Sequence, residues 1–182
     1  METQLPTLST QRLILRPYSL KDAAGVQRLC GERQIADTTL NIPHPYPDGA
    51  AQEWISTHPQ QFAKGEGVQW AITLKETREL SGGIGLTIQR AHDRAEVGYW
   101  VAAHLWSRGY CTEAARAVVR YGFEVLNLNR IYAHHFTRNP ASGRVMQKLG
   151  MTYEGRVRQA IKKWGVYEDL DRYAILRSEW NG

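Results

Sequence analysis

Residues 96–115 constrain the fold more than any other part of the chain, because they combine a strand, a short turn and a helix start. Residues 95–101 hold valine, tyrosine and tryptophan in a short apolar run, which is the composition of a buried strand. In the turn that follows, Gly109 permits unusual backbone angles, Thr112 can cap a helix and Glu113 suits a first helical turn. Such a turn directs several free backbone N–H groups to one spot, which is typical of an anion site.

A basic residue supports the interpretation of this turn as a phosphate site. Arg108 stands beside Gly109, and a cation next to a glycine that allows close approach suits a polyphosphate. Two common phosphate motifs are absent from the sequence: there is no GxxxxGK[ST], and no GxGxxG follows a strand. The pattern therefore disfavours a nucleoside triphosphatase and a dinucleotide-binding fold.

The length and composition predict one soluble domain, residues 1–182. Apolar residues make up 42% of the chain and charged residues 23%, which is ordinary for a globular protein. No apolar run approaches the length of a membrane span, and the N-terminus lacks the pattern of a signal peptide. Cys30 and Cys111 give neither a disulfide framework nor a metal-ligand spacing, so we expect no metal and a reducing, cytoplasmic location.

The net charge of +5 and the pI of about 9.3 invite comparison with nucleic-acid-binding proteins. Lysine and arginine are scattered, however, and the run Gln159, Ala160 and Ile161 interrupts the densest basic patch, residues 156–163. A basic cavity mouth that attracts an anionic cofactor or an acidic partner explains the charge equally well. The sequence therefore does not favour a nucleic-acid partner.

The first third of the chain predicts one strand and two helices. Residues 10–16 alternate in polarity and a proline ends them, as in a strand. A helix follows, from a cap at Ser19 to a stop at Gly31. We expect Asp48 to cap the second helix, which ends near Gly65.

Residues 42–49 predict a stiff, extended loop between these helices, because three prolines at alternate positions remove hydrogen-bond donors and fix φ. The loop carries His44 and Tyr46. Rigid loops with such rings often line pockets, although a connector with exposed rings is the commoner case. We take His44 and Tyr46 as candidates for substrate binding, with the connector as the alternative.

The remaining pattern predicts a strand-rich centre and a mixed C-terminal half. Polar turns separate three strands that suit antiparallel hairpins, at residues 69–74, 81–89 and 95–101. Three glycines crowd the middle strand, which indicates a bulge or close packing. Next come a helix, a strand parallel to a neighbour, a second helix with Asn139 as its cap, and two final strands, at residues 112–126, 130–137, 140–150, 151–158 and 166–176.

Five motifs in this order resemble the GNAT superfamily of acyl-CoA-dependent N-acetyltransferases, and more closely its ribosomal-protein-alanine (RimJ/RimL-like) branch. They are TQRLILR at 10–16, EVGYWV at 96–101, WSRGYCTEA at 106–114, NPAS at 139–142 with KLGM at 148–151, and YED at 167–169. The similarity spans nearly the whole chain, and the ordered set is far more specific than any one motif. It implies an α/β (α+β) GNAT fold, with a mixed central sheet of about seven strands that splays between two parallel strands, and about four helices.

The resemblance implies acetyl-CoA as the acetyl donor and places its parts on the chain. Backbone amides of residues 108–112 would bind the pyrophosphate, at the anion site inferred above from the residues alone. The end of the preceding strand would pair its backbone with the pantetheine arm, and Asn139 would hydrogen-bond that arm. The implied cofactor-binding residues are Trp100, Val101, Arg108, Gly109, Tyr110, Cys111, Thr112 and Asn139.

Acetylation of an amine needs a base for the ammonium, a donor for the developing oxyanion and an acid for the leaving thiolate. Glu96 is the candidate base, acting through water, because its strand leads to the cofactor slot; a solvent-facing or salt-bridged carboxylate is the alternative. The resemblance places Ser142 near the leaving sulfur as the candidate acid, with a helix-cap donor as the alternative. The N–H of Val101 is a candidate oxyanion donor, and His134 and His135 are expected to be core or surface histidines.

Two positions depart from the family pattern, and one acidic residue adds a further candidate. Cys111 stands where the family usually has a small residue, and Ser107 stands where glycine is common. Cysteine is still small, so we expect the amides to survive, while a thiol beside a thioester suggests sensitivity to oxidation. The resemblance gives Asp169 a place in binding the substrate ammonium, with a solvated acidic turn as the alternative.

Three functions remain open. The first is acetyl transfer to the N-terminal α-amine of a protein or peptide, and the second is the same chemistry on a small amine such as an amino acid, a polyamine or an aminoglycoside. The third is a basic binding module that has kept the fold without the catalysis. Binding of acetyl-CoA separates the first two from the third, and the amine half of the pocket separates the first from the second. A homodimer is compatible with the sequence, which does not demonstrate one.

Overall fold

The computed structural model describes residues 4–182 and places eight strands in one sheet, in the order β1-β2-β3-β4-β5-β6-β8-β7. The strands are β1 (Leu8–Ser9), β2 (Leu13–Pro17), β3 (Gly67–Leu74), β4 (Leu80–Gln89), β5 (Arg94–Val101), β6 (Arg130–Phe136), β7 (Thr152–Lys163) and β8 (Val166–Leu176). All neighbouring strands are antiparallel except β5 and β6, which are parallel. The mixed sheet confirms the predicted fold class, and the two-residue β1 is the strand that the sequence pattern did not predict.

Five α-helices occur within residues 4–182, one more than predicted. They are α1 (Ala23–Cys30), α2 (Arg33–Thr38), α3 (Ala50–Lys64), α4 (Tyr110–Glu124) and α5 (Pro140–Lys148). The unpredicted helix is α2, which has six residues and buries Ile35 and Ala36. A helix of this length is too short to show a repeating apolar stripe, so periodicity does not reveal it.

The helices bury both faces of the sheet. In the larger core, Val118 and Phe123 of α4 pack with sheet residues such as Leu86 and Ile131, all of them buried. A smaller core joins α1 and α3, through Ala23, Val26, Cys30, Ala51 and Ile55. Each large apolar side chain buried in this way stabilises the fold by about 1.5–3 kcal/mol.

The glycines of β4 confirm the prediction of close packing. A Cβ at Gly83 would collide with the Tyr18 hydroxyl, and a Cβ at Gly85 would collide with the side-chain amide of Gln69. Only a residue without a side chain fits at these two positions. The bare backbone of β4 therefore lets the neighbouring rings and amide lie directly on the sheet.

The parallel strands β5 and β6 separate after a short paired region. They are paired only from Arg94 to Glu96 on β5 and from Arg130 to Tyr132 on β6. Beyond these residues β5 continues to Val101 and β6 to Phe136 without pairing to each other. The predicted splay is confirmed, and it opens a gap in the middle of the sheet.

Both long helices begin after a glycine, which corrects the predicted caps at Asp48 and Thr112. The residue before α3 is Gly49 with φ 80°, and the residue before α4 is Gly109 with φ 81°. Glycine adopts this left-handed conformation without steric cost, so the chain can turn sharply into each helix. As a result α4 begins at Tyr110, and Thr112 lies inside its first turn.

The final hairpin is longer than predicted. The strand expected to end at residue 158 continues to Lys163. Trp164 and Gly165 then form a two-residue turn with φ values of 48° and 85°. Two consecutive left-handed residues match the right-handed twist of a hairpin, so this turn joins β7 directly to β8.

Candidate functional site

The gap between β5 and β6 opens into a cavity of about 360 Å³, which we call the first cavity. Its walls are the end of β5, the turn into α4, the first turns of α5 and the end of α2. The predicted cofactor-binding residues that line it are Trp100, Val101, Gly109, Tyr110, Cys111, Thr112 and Asn139. Arg108 is not among the lining residues, and its carbonyl instead accepts a hydrogen bond from Arg12 Nη1 at 3.0 Å.

The turn into α4, residues 106–112, is here called the phosphate turn, and its geometry suits an anion. The first amides of α4 have no intrahelical partners because they lie at the start of the helix. The N-cap side chain does not supply one either, since the N-cap residue is Gly109. Ser107 and Gly109 are both left-handed, with φ of 63° and 81°, which curls the backbone toward those amides. The atom nearest to a Cβ built on Gly109 is Arg12 Nη2, at 3.5 Å. The approach to the amides is therefore open.

An ion pair between distant residues, Arg12 and Glu113, fastens the first turn of α4 to the segment just before β2. Glu113 Oε2 accepts a hydrogen bond from Arg12 Nε at 2.7 Å, and Oε1 accepts from the Arg12 backbone N at 2.7 Å and the Thr10 hydroxyl at 2.6 Å. The Arg12 guanidinium also lies over the Tyr110 ring, 4.5 Å from its centroid. Burial raises the pKa of the Glu113 carboxyl, but the hydrogen bonds from Thr10 and Arg12 outweigh it and hold this pKa below its ordinary value.

A second cavity, of about 450 Å³, adjoins the first. Its lining includes residues 38–43, Tyr46 and Trp54 on the helical side, and the sheet side contributes Glu96 with two histidines. The residues that line both cavities are Thr38, Thr39, Tyr99, Trp100 and Ser142. The two cavities are therefore adjacent, with these five residues between them.

Glu96 faces His134 in the second cavity, a pairing that the sequence did not predict. His134 Nε2 lies 3.4 Å from Glu96 Oε1. The parallel register aligns Glu96 with Tyr132, so His134, two residues further along β6, projects from the same face of the sheet. His135 projects from the opposite face, as expected, and its Nδ1 donates to the Phe136 carbonyl at 2.7 Å.

Ser142 pairs with Tyr99 at the shared wall. The Tyr99 hydroxyl lies 3.0 Å from Ser142 Oγ and donates to the Ser142 carbonyl at 3.2 Å. Burial raises the pKa of Tyr99 well above its ordinary value, so its hydroxyl keeps its proton. The capping side chain of α5 is Asn139, whose Oδ1 accepts from the Ser142 backbone N at 3.4 Å. The N-cap residue of α5 is therefore Asn139, and the Ser142 hydroxyl faces Tyr99.

Two of the predicted cofactor contacts already have protein partners. Asn139 Nδ2 donates to the Thr38 carbonyl at 3.3 Å, which ties α5 to the end of α2. The Val101 carbonyl accepts a hydrogen bond from Trp106 Nε1 at 2.7 Å. A ligand in the first cavity would have to share or displace these bonds.

The sequence matches the Acetyltransferase (GNAT) domain over residues 12–152. The chain belongs to the GNAT acetyltransferases. "Uncharacterized N-acetyltransferase YoaA" of Bacillus subtilis (strain 168) is 34% identical over 173 residues, which cover 94% of this chain and 97% of that protein. "Putative ribosomal N-acetyltransferase YdaF" of the same organism is 32% identical over 124 residues, which cover 68% of this chain and 67% of that protein. A solved structure entitled "Crystal structure of Probable acetyltransferase" matches with a TM-score of 0.86 and 27% identity, covering 96% of this chain and 99% of that one.

Membership of the family makes this GNAT protein an N-acetyltransferase that uses acetyl-CoA as its acetyl donor, as the resemblance implied. The first cavity fits such a donor on two observations. The open approach at Gly109 leads to uncapped helix amides, which suit the pyrophosphate. The unpaired stretch of β5 beyond Glu96 lies along the gap, where an extended arm carrying amides can pass through the sheet.

Cys111 lines the first cavity of this GNAT protein and is partly exposed. Burial nevertheless raises the pKa of its thiol to about 12. Because the thiolate is the reactive form of cysteine, a raised pKa lowers the fraction of reactive thiol at neutral pH. The sensitivity to oxidation that the sequence suggested stays a prediction.

The three candidate substrate residues lie in different surroundings. Tyr46 lines the second cavity, whereas His44 and Asp169 line neither cavity. His44 instead packs against Trp164 at 6.5 Å between ring centroids. Asp169 accepts a hydrogen bond from the Gln159 backbone N at 2.8 Å, which holds an irregularity in β7.

Among residues 4–182 of the GNAT chain, no helix combines the length and the hydropathy that membrane crossing requires.

Proposed function

We propose that this GNAT protein acetylates a primary amine that carries a single positive charge, and that this amine is the N-terminal α-amine of a protein or peptide, as in the RimJ/RimL-like branch. The observation that carries the proposal is the shared wall of the two cavities, formed in part by Tyr99, Trp100 and Ser142. A thioester in the first cavity and an amine in the second would meet there. The printed name of YdaF refers to a ribosomal substrate, which supports a protein substrate.

The charges around the second cavity support a singly charged amine. Glu96 is the one Asp, Glu, Lys or Arg among the lining residues in the described part of the chain. One carboxylate can balance one ammonium, whereas a polyamine or an aminoglycoside would bury further positive charges without partners. A free amino acid would place its own carboxylate here with no cationic side chain to receive it. An α-amine followed by peptide bonds avoids both costs.

The proposed roles of the residues follow from their contacts. Bound acetyl-CoA would supply the acetyl thioester. The amides of residues 110–112 would hold its pyrophosphate, and the backbone of Trp100 and Val101 would flank its arm. Glu96 would take a proton from the ammonium at its carboxylate, directly or through water, while His134 orients that carboxylate.

The acid in this scheme is the Ser142 hydroxyl, which would donate a proton to the leaving sulfur. Tyr99 stands 3.0 Å from Ser142 Oγ, so its hydroxyl can hydrogen-bond to the serine oxygen and hold it in place while Ser142 gives up its proton. Neither step needs a metal or a covalent intermediate on the enzyme.

A panel of amines tests this proposal by release of free CoA thiol. The panel contains tetrapeptides with a free N-terminus, the same peptides with an acetylated N-terminus as blanks, spermidine and an aminoglycoside. We expect the highest kcat/KM with free-amine peptides whose first side chains are uncharged. Equal or higher kcat/KM with spermidine would contradict the charge argument, and acetyl-CoA binding without turnover of any amine would favour a silent binding module.

The second candidate substrate is a small amine that carries no charge besides its ammonium group. The cavity volume of about 450 Å³ favours it, because this is within the range of small-molecule sites. The two candidates differ in how the rate depends on peptide length. A small-amine enzyme would lose kcat/KM on going from an amino-acid amide to a tetrapeptide, whereas an enzyme for protein N-termini would gain.

A further inference from the structure

One wall of the second cavity has little backbone structure of its own. We call residues 38–46 the amine-side wall, because they follow α2 and contribute much of the cavity lining. Within the described chain, residues 40–46 form no backbone-to-backbone hydrogen bond, and Pro43 and Pro45 lack N–H groups altogether. Side chains from elsewhere must therefore fix the conformation of this wall.

The principal anchor of the amine-side wall is the ammonium of Lys163. Its Nζ donates to the carbonyls of Thr39 at 2.7 Å, Leu40 at 3.3 Å and Ile42 at 2.8 Å. All three residues line the second cavity. Lys163 is only 7% exposed, and no carboxylate in the described chain lies within salt-bridge distance of it. The three donors of the ammonium are thus all used on wall carbonyls.

The position of Lys163 in the hairpin explains how it reaches the wall. It is the last residue of β7, immediately before the two-residue turn of Trp164 and Gly165. The Trp164 ring packs against His44 at 6.5 Å and lies under the Arg33 guanidinium at 5.5 Å. The hairpin tip therefore contacts the amine-side wall through both the buried Lys163 ammonium and the Trp164 ring.

Three carbonyls and the face of the Trp164 ring, 5.1 Å from Nζ to the ring centroid, surround this buried cation without a carboxylate from residues 4–182. Burying an ammonium is costly unless its donors find partners, and an apolar residue would pack here without that cost. The advantage of the lysine is that one nitrogen carries three donors. It therefore holds the carbonyls of Thr39, Leu40 and Ile42 around a single point.

We propose that Lys163 is a positioning residue that sets the shape of the amine cavity and thereby the affinity for the amine, a proposal that rests on the proposed function of that cavity. Lys163 lines neither cavity and acts through the carbonyls of the amine-side wall. The first cavity shares only the start of this wall, so its affinity for acetyl-CoA depends much less on Lys163.

Steady-state kinetics of three variants test this role. Lys163→Met keeps the length of the side chain without its donors, Lys163→Arg keeps charge and donors, and Lys162→Met is the matched control at the neighbouring exposed lysine. For Lys163→Met we expect KM for the amine to rise about tenfold or more, because charge-assisted hydrogen bonds are lost. The acetyl-CoA Kd should change less than about twofold, with Lys163→Arg recovering most of the loss and Lys162→Met resembling wild type.

Two results would overturn the proposal. One is an unchanged amine KM in Lys163→Met, and the other is an equal loss of amine and acetyl-CoA affinity, which would indicate a general folding defect.

If wild-type protein turns over no amine, the proposed function fails, while limited proteolysis with thermolysin still tests the inference. Faster cleavage before Leu40 in Lys163→Met than in Lys162→Met would then support the anchoring role. Equal cleavage rates would contradict it.

Discussion

The phosphate turn and the amine-side wall serve adjacent cavities, yet different kinds of contact hold them in shape. The phosphate turn takes its form from neighbours in sequence: two left-handed residues, Ser107 and Gly109, lead directly into α4. The amine-side wall takes its form from a lysine more than 120 residues away. The proposed donor side thus takes its backbone conformation from local sequence, with the distant Arg12–Glu113 ion pair as a support, whereas the proposed acceptor side depends on tertiary contacts for its conformation.

This difference matters for function. The turn into α4 can form from its own residues, so a local motif is enough to build it. The printed names of two relatives refer to different substrates, ribosomal for YdaF and spermidine for a relative from Vibrio cholerae. A wall fixed by distant side chains can change shape through substitutions in the hairpin without disturbing the phosphate turn.

The largest expected effect is confined to the acceptor side. Glu96→Gln should lower kcat/KM for the amine by about 100-fold or more, because a positioned base contributes on that scale. The loss should grow as the pH falls, since more of the amine then needs deprotonation on the enzyme. The dependence of kcat/KM on pH measures this loss, with Glu76→Gln in an exposed turn as the control. A profile like that of wild type would remove Glu96 from the reaction.

A smaller effect is expected where a distant contact supports the donor side. Glu113→Gln should lower the free energy of unfolding by about 1–2 kcal/mol at neutral pH, because an uncharged amide makes weaker hydrogen bonds to Thr10 and Arg12. The same change should weaken acetyl-CoA binding. The pKa of Glu113 lies below its ordinary value of 4.5, so this stabilisation is present above that pH and disappears as the pH falls through the folded-state pKa.

Melting temperatures of wild type and Glu113→Gln measured from pH 7 downward check this dependence. The two curves should converge in acid, while Glu124→Gln, at an exposed position on the same helix, should follow wild type throughout. A constant difference between wild type and Glu113→Gln at every pH would show that the ionised carboxylate is not the source of the stability.

The smallest expected effect lies within the phosphate turn itself. Ser107 holds a left-handed φ of 63°, which costs a residue with a side chain about 1 kcal/mol. Ser107→Gly should therefore raise the free energy of unfolding by up to about 1 kcal/mol, partly offset by the greater freedom of glycine in the unfolded chain. Urea denaturation measures the change, with Ser107→Ala as a control that keeps the strain. Destabilisation by glycine would contradict the account of this turn.

The contrast between the two regions also explains how much the sequence could predict. Gly109, Thr112 and Asn139 are recognisable because turn and cap residues act on their immediate neighbours, and the lining of the first cavity contains all three. The seven longer strands were predicted for the same reason, since alternation and turn signals are local. The cap of α4 is Gly109, three residues before the predicted Thr112, which shows that local signals place helix boundaries only approximately.

Contacts between distant residues could not be predicted. Arg12 and Glu113 are 101 residues apart, and the pairing of Glu96 with His134 depends on the register of two parallel strands. Tyr99 and Trp100 alternate along β5, and the sequence alone does not show which of them meets Ser142. Lys163 looks like one more basic residue in a polar strand until the hairpin brings it to the amine-side wall.

Calorimetric titration with acetyl-CoA tests the central claim, that the phosphate turn binds the donor. Gly109 and Gly49 offer a matched pair, because each precedes a long helix with φ near 80° and only Gly109 lines the first cavity. We predict that wild type and Gly49→Trp bind alike, and that Gly109→Trp weakens binding by at least about 100-fold by blocking the helix amides. Equal binding by both variants, or no binding by wild type at millimolar acetyl-CoA, would contradict the claim.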